Sequence, residues 1–302
     1  MATPVSSKRK VFIGVAVVVV LALIIIPLSL SKSSKKPAAV GKAVFDAQAA
    51  AMVPASYKGT TLISAMDATY APDESVGTDG STLVGFDVDL MNALAVTLGI
   101  KVQAQNVSFN NIIPGIQSGR FAIGNSSFTD NTTRQASVNF VDYFTAGEGF
   151  YVKSTTNPIY TSLASLCGAS VAVESGTVEE TDAQAQAAKC PSNAPLQVAS
   201  YPGQDQANLA VSSGHQKVGF LDSQVAAYVV KQSGGAFVLS GMPFSVAPYG
   251  MAVAKTTAGL KFAKALQAAF KVMKANGSYA AVLKKWGVSA GAVSNFTING
   301  AK

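Results

Sequence analysis

The sequence predicts an α/β protein with two domains. Its 302 residues exceed the length of about 250 residues at which a single hydrophobic core usually divides. Segments with the two-residue alternation of strands follow segments with the 3.6-residue spacing of helices through most of the chain. This alternation is typical of sheets connected by crossover helices.

The first half contains strands and helices in turn. A helix is predicted over residues 86–99, FDVDLMNALAVTLG, because its apolar residues have helical spacing and Gly99 can end it. Pro and Gly residues predict a turn-rich stretch without regular structure over 68–82. The other predicted elements are a helix beginning at Ser108 and strands at 61–66, 100–107 and 121–127.

The second half continues this pattern. Helices are predicted over 177–188, 223–234, 259–277 and 278–287, and strands over 138–144, 148–153, 170–176, 196–201, 217–223 and 236–241. The helix at 259–277 carries an apolar stripe that includes Leu260, Leu266 and Met273, with lysines elsewhere, so we expect one face to pack in the core.

The N-terminal region has the features of an export signal. Residues 1–10 form a basic segment, residues 11–30 are uncharged and mostly apolar, and residues 31–43 resemble a polar tether. About 20 such residues suffice for a helix to cross a bilayer. We expect either a cleaved signal peptide or an uncleaved membrane anchor, with the anchor slightly favoured, because no distinct cleavage site follows.

The charge distribution argues against a nucleic-acid partner. The net charge is +7, but residues 1–36 hold six of the 23 basic residues and no acidic residue. The remainder is nearly neutral and has no basic patch in its sequence. We expect an ordinary surface and no binding to nucleic acid.

Cys167 and Cys190 are the two cysteines of the chain. We predict that they form a disulfide, because disulfides persist in exported proteins, with two free buried thiols as the alternative. Two cysteines and the distant His215 lack the spacing of metal ligands. The sequence also lacks a phosphate-binding glycine loop and a GxSxG motif, so we expect no metal, no cofactor and no catalysis.

Six motifs in order resemble the family 3 solute-binding proteins, which deliver amino acids to ABC importers. They are DATYAP (67–72), GFDVDL (85–90), SFNNIIPGIQSGRFAI (108–123), SSFTDNTTR (126–134), VAVESGT (171–177) and FLDSQVAAY (220–228). Each motif is weak alone. Their order over more than two hundred residues makes the resemblance strong.

The resemblance implies a two-lobed periplasmic-binding-protein-like fold of type II, with two sheets, flanking helices and a hinge of two chain crossings. Lobe 1 would comprise residues 44–152 and 249–302, and lobe 2 residues 153–248. The crossings would lie near 151–154 and 247–249. A ligand would bind between the lobes and close them.

The resemblance also assigns a site for the head group of an amino acid. Arg134 would bind the ligand α-carboxylate, because a planar guanidinium forms two parallel hydrogen bonds with it. Asp222 would bind the α-ammonium group, and as an alternative or in addition it would cap the following helix. Hydroxyl or backbone groups would come from Ser127 and Thr129. Amide donors at a helix N-terminus would come from Gly176 and Thr177.

The ligand side chain would lie among aromatic and acidic residues. Tyr70 and Phe109 match positions that line the family pocket. Asp67, Glu174 and Glu179 would lie near the variable end of the ligand, where three acids favour a cationic side chain. Each assignment has an alternative: an acid at the position of Asp67 is common in binders of several classes, Glu174 can point away from the cleft, and Glu179 can be an ordinary first-turn acid of a helix.

The predicted function is therefore capture of a small zwitterion, an amino acid that is polar or basic, outside the cytoplasm. The expected partner is an ABC permease, and the expected state is a monomer. Two alternatives use the same fold. One is a dehydratase of the cyclohexadienyl or arogenate type, with Glu174 or Glu179 as general acid. The other is a ligand-sensing receptor protein.

Overall fold

Strands and helices alternate along the chain, as predicted. The computed structural model describes residues 43–301. The strands in this part are β1 Thr61–Met66, β2 Thr69–Tyr70, β3 Glu74–Val76, β4 Leu83–Val84, β5 Lys101–Asn106, β6 Ile123–Gly124, β7 Val138–Lys153, β8 Ser170–Glu174, β9 Gln197–Tyr201, β10 Val218–Asp222 and β11 Phe237–Ala254. The helices are α1 Ala47–Ala51, α2 Phe86–Leu98, α3 Ile112–Gln117, α4 Thr132–Gln135, α5 Val178–Ala187, α6 Gln204–Ser213, α7 Ser223–Gln232, α8 Thr257–Ala275 and α9 Ser278–Trp286.

The main sheet has eight strands in the order β5-β1-β6-β11-β7-β10-β8-β9. Strands β5, β1 and β6 run parallel to one another at one end, and β10, β8 and β9 do so at the other. The long antiparallel pair of β7 and β11 joins the two ends. This mixed sheet with crossover helices confirms the predicted α/β class.

Strand β7 replaces two predicted strands. We predicted separate strands at 138–144 and 148–153, but residues 145–147 continue the extended backbone, and Ala146 pairs with Ala247 of β11. The neighbours of β7 change along its length. Its first half pairs with the second half of β11, whereas Glu148 to Val152 pair with β10. The two long strands therefore connect the two sets of parallel strands.

The predicted turn-rich stretch is more ordered than expected. Strands β2, β3 and β4 form a small antiparallel sheet there. The Asp79 carboxylate accepts hydrogen bonds from the backbone of Ser81 and Thr82 and so organises the connection between β3 and β4. Our prediction of no regular structure was wrong, because a side chain supplied the turn contacts. The predicted strand at 121–127 is reduced to β6, two residues long.

The predicted helices are present with small shifts of their ends. Gly99 ends α2 in the left-handed conformation with φ of 64°. In α8, Leu266 and Met273 are buried as predicted, but Leu260 is 38% exposed, and Phe262 is buried instead. The helix at 112–117 has Asn111 rather than Ser108 as its N-cap, because a short 3₁₀ turn precedes it.

Apolar side chains form two large groups on the main sheet. One group draws on α2, α8, α9, the first half of β7 and the second half of β11, and Phe86 and Phe270 belong to it. The other surrounds Phe150, Val171 and Phe220. The first group contains residues between 43 and 146 and between 249 and 298, and the second contains residues between 150 and 244. The exact lobe boundaries and crossings stay a prediction.

The disulfide prediction is confirmed. Cys167 and Cys190 are bonded, with their Cα atoms 5.4 Å apart. The bond ties the turn before β8 to the end of α5. The predicted basic segment at 1–10 and apolar segment at 11–30 lie outside the described residues. Within residues 43–301, no helix combines the length and apolarity needed to cross a bilayer.

Candidate functional site

A cavity with an empty volume of about 300 Å³ is lined by residues at or just beyond the carboxyl ends of strands from both ends of the main sheet. Its free space is narrow, with room for the centre of about one water molecule. Nine of the ten predicted binding residues line it: Asp67, Tyr70, Phe109, Ser127, Thr129, Arg134, Thr177, Glu179 and Asp222. Gly176 does not line the cavity but contacts Arg134. These residues come from distant parts of the sequence, and the fold brings them together.

Arg134 crosses the cavity. The short helix α4 begins at Asn131, whose side chain accepts a hydrogen bond from the Arg134 backbone amide. The guanidinium donates to the carbonyl oxygens of Thr129 and Gly176, each at 2.9 Å. It also lies over the rings of Phe109 and Phe128, 5.4 Å from each centroid. A guanidinium has five N–H donors, so Arg134 retains donors for a further acceptor.

Asp222 lies at the end of β10 beside two tyrosines. The Tyr70 hydroxyl donates to its carboxylate at 2.8 Å. Burial raises the pKa of Asp222 to about 6, although hydrogen bonds from Tyr249 and Tyr70 and the charge of Arg134 lower it. Asp222 occupies the N-cap position of α7, but its side chain makes no capping hydrogen bond. The carboxylate is therefore directed to the cavity rather than to the helix.

Two carboxyl groups meet at the opposite side of the cavity. Asp67 accepts hydrogen bonds from the Thr69 hydroxyl and from the backbone amide of Phe109. Glu174, at the end of β8, is 2% exposed, and its Oε1 has no hydrogen-bond partner. Burial, and then the neighbouring Asp67 carboxyl, raise the pKa of Glu174 well above its usual range. Glu174 therefore lines the cavity and does not point away from it.

Glu179 differs from its predicted environment. It is 2% exposed and lines the cavity. After burial, the groups that raise its pKa are the carboxyls of Asp222 and Glu148. The prediction grouped Glu179 with Asp67 at the variable end of a ligand. Glu179 is the second residue of α5, and the structure associates it with Asp222, whose carboxyl is the first charged neighbour that raises the Glu179 pKa.

Three of the predicted polar groups already have partners. The Ser127 hydroxyl donates to Asp73 at 2.7 Å. Thr177 caps α5 by accepting from the Glu180 amide. The Gly176 amide donates to the Glu180 carboxylate at 2.7 Å. In this conformation the capping interaction of Glu180 uses the Gly176 amide, and the contact of Gly176 with a ligand carboxylate stays a prediction.

A layer of buried acids beneath the cavity was missed by the sequence reasoning. Asp73, Glu74 and Asp87 have no exposed surface. The hydroxyl of Ser126 donates to Glu74, and the amide of Ser127 donates to Asp87. Burial raises the pKa of Asp87 to about 6. These acids hold the loop after β6 in place. The signal in the sequence was weak: Asp87 is an acid in the mostly apolar motif GFDVDL.

The arrangement of the cavity suits recognition of a charged ligand better than metal binding. Within residues 43–301, no group of three His, Cys, Asp or Glu side chains has the geometry to hold a metal ion. His215 lies exposed in a loop. Trp286 is a packing residue, and its ring N–H donates to Asp89 at 2.7 Å. The cavity instead offers a guanidinium near one carboxylate and a carboxyl pair on another side.

The sequence profile of the bacterial extracellular solute-binding proteins, family 3, matches residues 62–289. The chain belongs to this family. The arginine-binding protein ArgT of Corynebacterium glutamicum is 30% identical to this family 3 protein over 253 residues, which cover 82% of each chain. It is described as a binding protein, in agreement with our prediction of a binding protein without catalysis.

Two solved structures resemble this family 3 protein. An ancestral arginine-binding protein bound to arginine is 32% identical, has a TM-score of 0.69, and covers 75% of this chain and 97% of its own. An ancestral amino acid-binding protein described as a precursor of cyclohexadienyl dehydratase is 31% identical, with a TM-score of 0.67 and coverage of 75% and 95%. Both support the predicted type II fold.

Proposed function

We propose that this solute-binding protein captures a basic amino acid outside the cytoplasm, with arginine as the first candidate, for uptake by an ABC importer. The observation that carries the proposal is the charge arrangement of the cavity. One guanidinium, Arg134, faces a cavity lined by four carboxyl groups, those of Asp67, Glu174, Glu179 and Asp222. The ArgT relative and the arginine-bound ancestral protein support the same ligand class.

The head group of the ligand would bind Arg134 and Asp222. The donors that remain on Arg134 are suited to an α-carboxylate, since a guanidinium presents paired N–H groups to two oxygens. Asp222 would accept from the α-ammonium group. Because Asp222 is buried and Arg134 is partly buried, these charge-assisted bonds would form in a site of lowered dielectric, where they are stronger than in water.

The side chain of the ligand would extend to Asp67 and Glu174. Two carboxyl groups in contact repel each other unless a proton or a cation lies between them. Burial and the Asp67 carboxyl raise the pKa of Glu174, which favours a proton in this role. A guanidinium or ammonium group would replace the proton and bind both acids. With a neutral ligand side chain, the Asp67 and Glu174 pair would have to keep its proton.

Entry of the ligand would require the two lobes to separate. The free space admits about one water molecule, far less than an amino acid. The lining residues come from 67–134 on one side and from 174–222 on the other. We infer that these segments belong to the two lobes, that they open for entry and that they close on the ligand. The closed form would then be the one that the permease binds.

The N-terminal segment 11–30 would hold the protein at the membrane or direct its export. The disulfide between Cys167 and Cys190 supports an oxidising location. We propose that the protein acts as a monomer and delivers its ligand to a permease in the same membrane.

Isothermal titration of the full-length protein with the twenty amino acids tests the ligand class. We expect arginine, and more weakly lysine, to bind, while neutral and acidic amino acids bind at least tenfold more weakly. If a neutral amino acid alone binds tightly, the protein is still an amino-acid-binding protein, but the proposal of a basic ligand is refuted.

A dehydratase is the second candidate, because Glu174 lines the cavity and burial raises its pKa, the direction that favours a general acid. The structural similarity to the ancestral precursor of cyclohexadienyl dehydratase supports this candidate. Incubation with prephenate or arogenate, followed by absorbance of an aromatic product, tests it. No product from the wild-type protein, together with saturable binding of amino acids, would reject the dehydratase.

A further inference from the structure

An open groove adjoins the cavity at its Asp222 end. We call it the acidic groove and define it by Asp130, Glu148, Asp182 and Asp222, which lie among its lining residues. Its empty volume is about 920 Å³. It shares Asp222, Thr129 and Val178 with the cavity, so the two spaces are neighbours. In the part of the chain that the structure describes, no lysine or arginine lines this groove.

Glu148 is one of the buried acids of the groove. It is 4% exposed, and its Oε2 has no hydrogen-bond partner among the described residues. It pairs directly with Asp222 across the antiparallel strands β7 and β10. Residues paired in this way have their side chains on the same face with Cβ atoms about 5 Å apart, and two like charges there are unfavourable.

Asp182 adds a third carboxyl group from helix α5. After burial, it is the Asp182 carboxyl that contributes most to raising the pKa of Glu148, to about 8. The carboxyls of Asp222 and Glu148 also raise the pKa of Glu179, which lies on the same helix. Arg134 is the nearby cation, but its guanidinium is bonded to Thr129 and Gly176 on the cavity side. The contact between Glu148 and Asp182 therefore needs a proton or a cation from elsewhere.

A single amino acid in the cavity does not meet this need. Its α-ammonium group would neutralise Asp222, and its side-chain cation would neutralise Asp67 and Glu174. Glu148 and Asp182 would still face each other in the groove. The fold keeps an unfavourable group of acids at a place that adjoins the ligand and opens to solvent, which is the arrangement of a cation site.

We propose that the acidic groove is a second cation subsite, in which Glu148 and Asp182 bind a small ammonium-like cation next to the ligand head group. Two sources share this chemistry. One is an ammonium group that the ligand carries beyond a peptide bond, as at the N-terminus of a dipeptide whose C-terminal residue is basic. The other is a free monovalent cation such as ammonium. The first source rests on the proposed function, and the second does not.

Titration with three related ligands tests the first source. Arginine, glycyl-arginine and N-acetyl-arginine share the same side chain and carboxylate, but only the dipeptide has an ammonium group beyond the position next to Asp222. We expect the wild-type protein to bind glycyl-arginine at least tenfold more tightly than N-acetyl-arginine, since one charge-assisted bond is worth about this factor. In the double variant Glu148→Gln and Asp182→Asn, the ratio should fall to about one.

Thermal unfolding in two salts tests the second source. Ammonium chloride and tetramethylammonium chloride at equal concentration give the same ionic strength, but the larger ion cannot approach two carboxylates closely. We expect the melting temperature of the wild-type protein without amino acid to be higher in ammonium chloride. The double variant should lose this difference. Asp79→Asn, which removes an exposed acid in the β3–β4 connection, should keep it.

The outcomes separate the two proposals. If arginine does not bind the wild-type protein, the proposed function fails, and the salt comparison still tests the groove. If arginine binds, but the dipeptide has no advantage and the two salts act alike, the cation subsite is refuted. The substitutions replace acids by amides of the same shape, and the melting temperature of the double variant in buffer shows that it is folded.

Discussion

Replacement of Arg134 by lysine tests the central contact of the proposed site. The guanidinium donates to Thr129 and Gly176 at 2.9 Å each and lies over two phenylalanine rings. An ammonium group has no planar pair of donors, so it cannot keep these contacts and also bind both carboxylate oxygens of a ligand. Hydrogen bonds to charged groups contribute about 1.5–3 kcal/mol each. Arg134→Lys should therefore lose about 3 kcal/mol of binding free energy, or roughly 100-fold in affinity for arginine.

The assay is isothermal titration of arginine into the wild-type and variant proteins at about pH 7.5. A competition titration replaces it where binding is too tight to measure directly. Arg120→Lys is the matched control, because Arg120 is exposed and also lies over a phenylalanine, Phe121, but outside the cavity. We expect the control to bind arginine as the wild type does. A dissociation constant of Arg134→Lys within threefold of the wild type would refute the role of Arg134.

Three further predictions follow from the acids and the disulfide. Glu174→Gln should weaken arginine binding roughly tenfold and change glutamine binding less than threefold, because only a cationic side chain needs the charge; equal losses for both ligands in titrations would contradict this selectivity. The pKa of Asp222 is raised to about 6, so its negative charge is present above this pH and lost below it. Arginine affinity should therefore fall as the pH decreases through 6, by up to about tenfold per pH unit. Equal affinity from pH 7 to 5 would show that Asp222 does not bind the ligand as a carboxylate. Replacing Cys167 and Cys190 by serine should lower the free energy of unfolding by about 3 kcal/mol in urea denaturation, and a loss under 1 kcal/mol would show that the disulfide contributes little.

Several features of the site could be predicted from the sequence. The motifs identified Arg134, Asp222 and Asp67, and all three line one cavity. The spacing of apolar residues predicted α2 and α8, because a helix that packs on a sheet must keep one apolar face. The two cysteines of an exported chain predicted the disulfide.

Other features depend on contacts between distant residues. The sequence could not predict that the Gly176 amide bonds to Glu180, nor that the Asp222 carboxyl raises the pKa of Glu179. It also did not reveal the pairing of Glu148 with Asp222, which depends on the register of β7 and β10. A shift of register by one residue would direct these side chains to opposite faces.

The sequence by itself determined the α/β class, the family and the charged residues that the site would use. The tertiary structure decided which of these charges are neighbours and which are already neutralised. The physical reason is that residue type sets the charge of a side chain, whereas burial and strand register set its partners and its pKa. The buried acids Asp73, Glu74 and Asp87, and the acidic groove, became visible only through those partners.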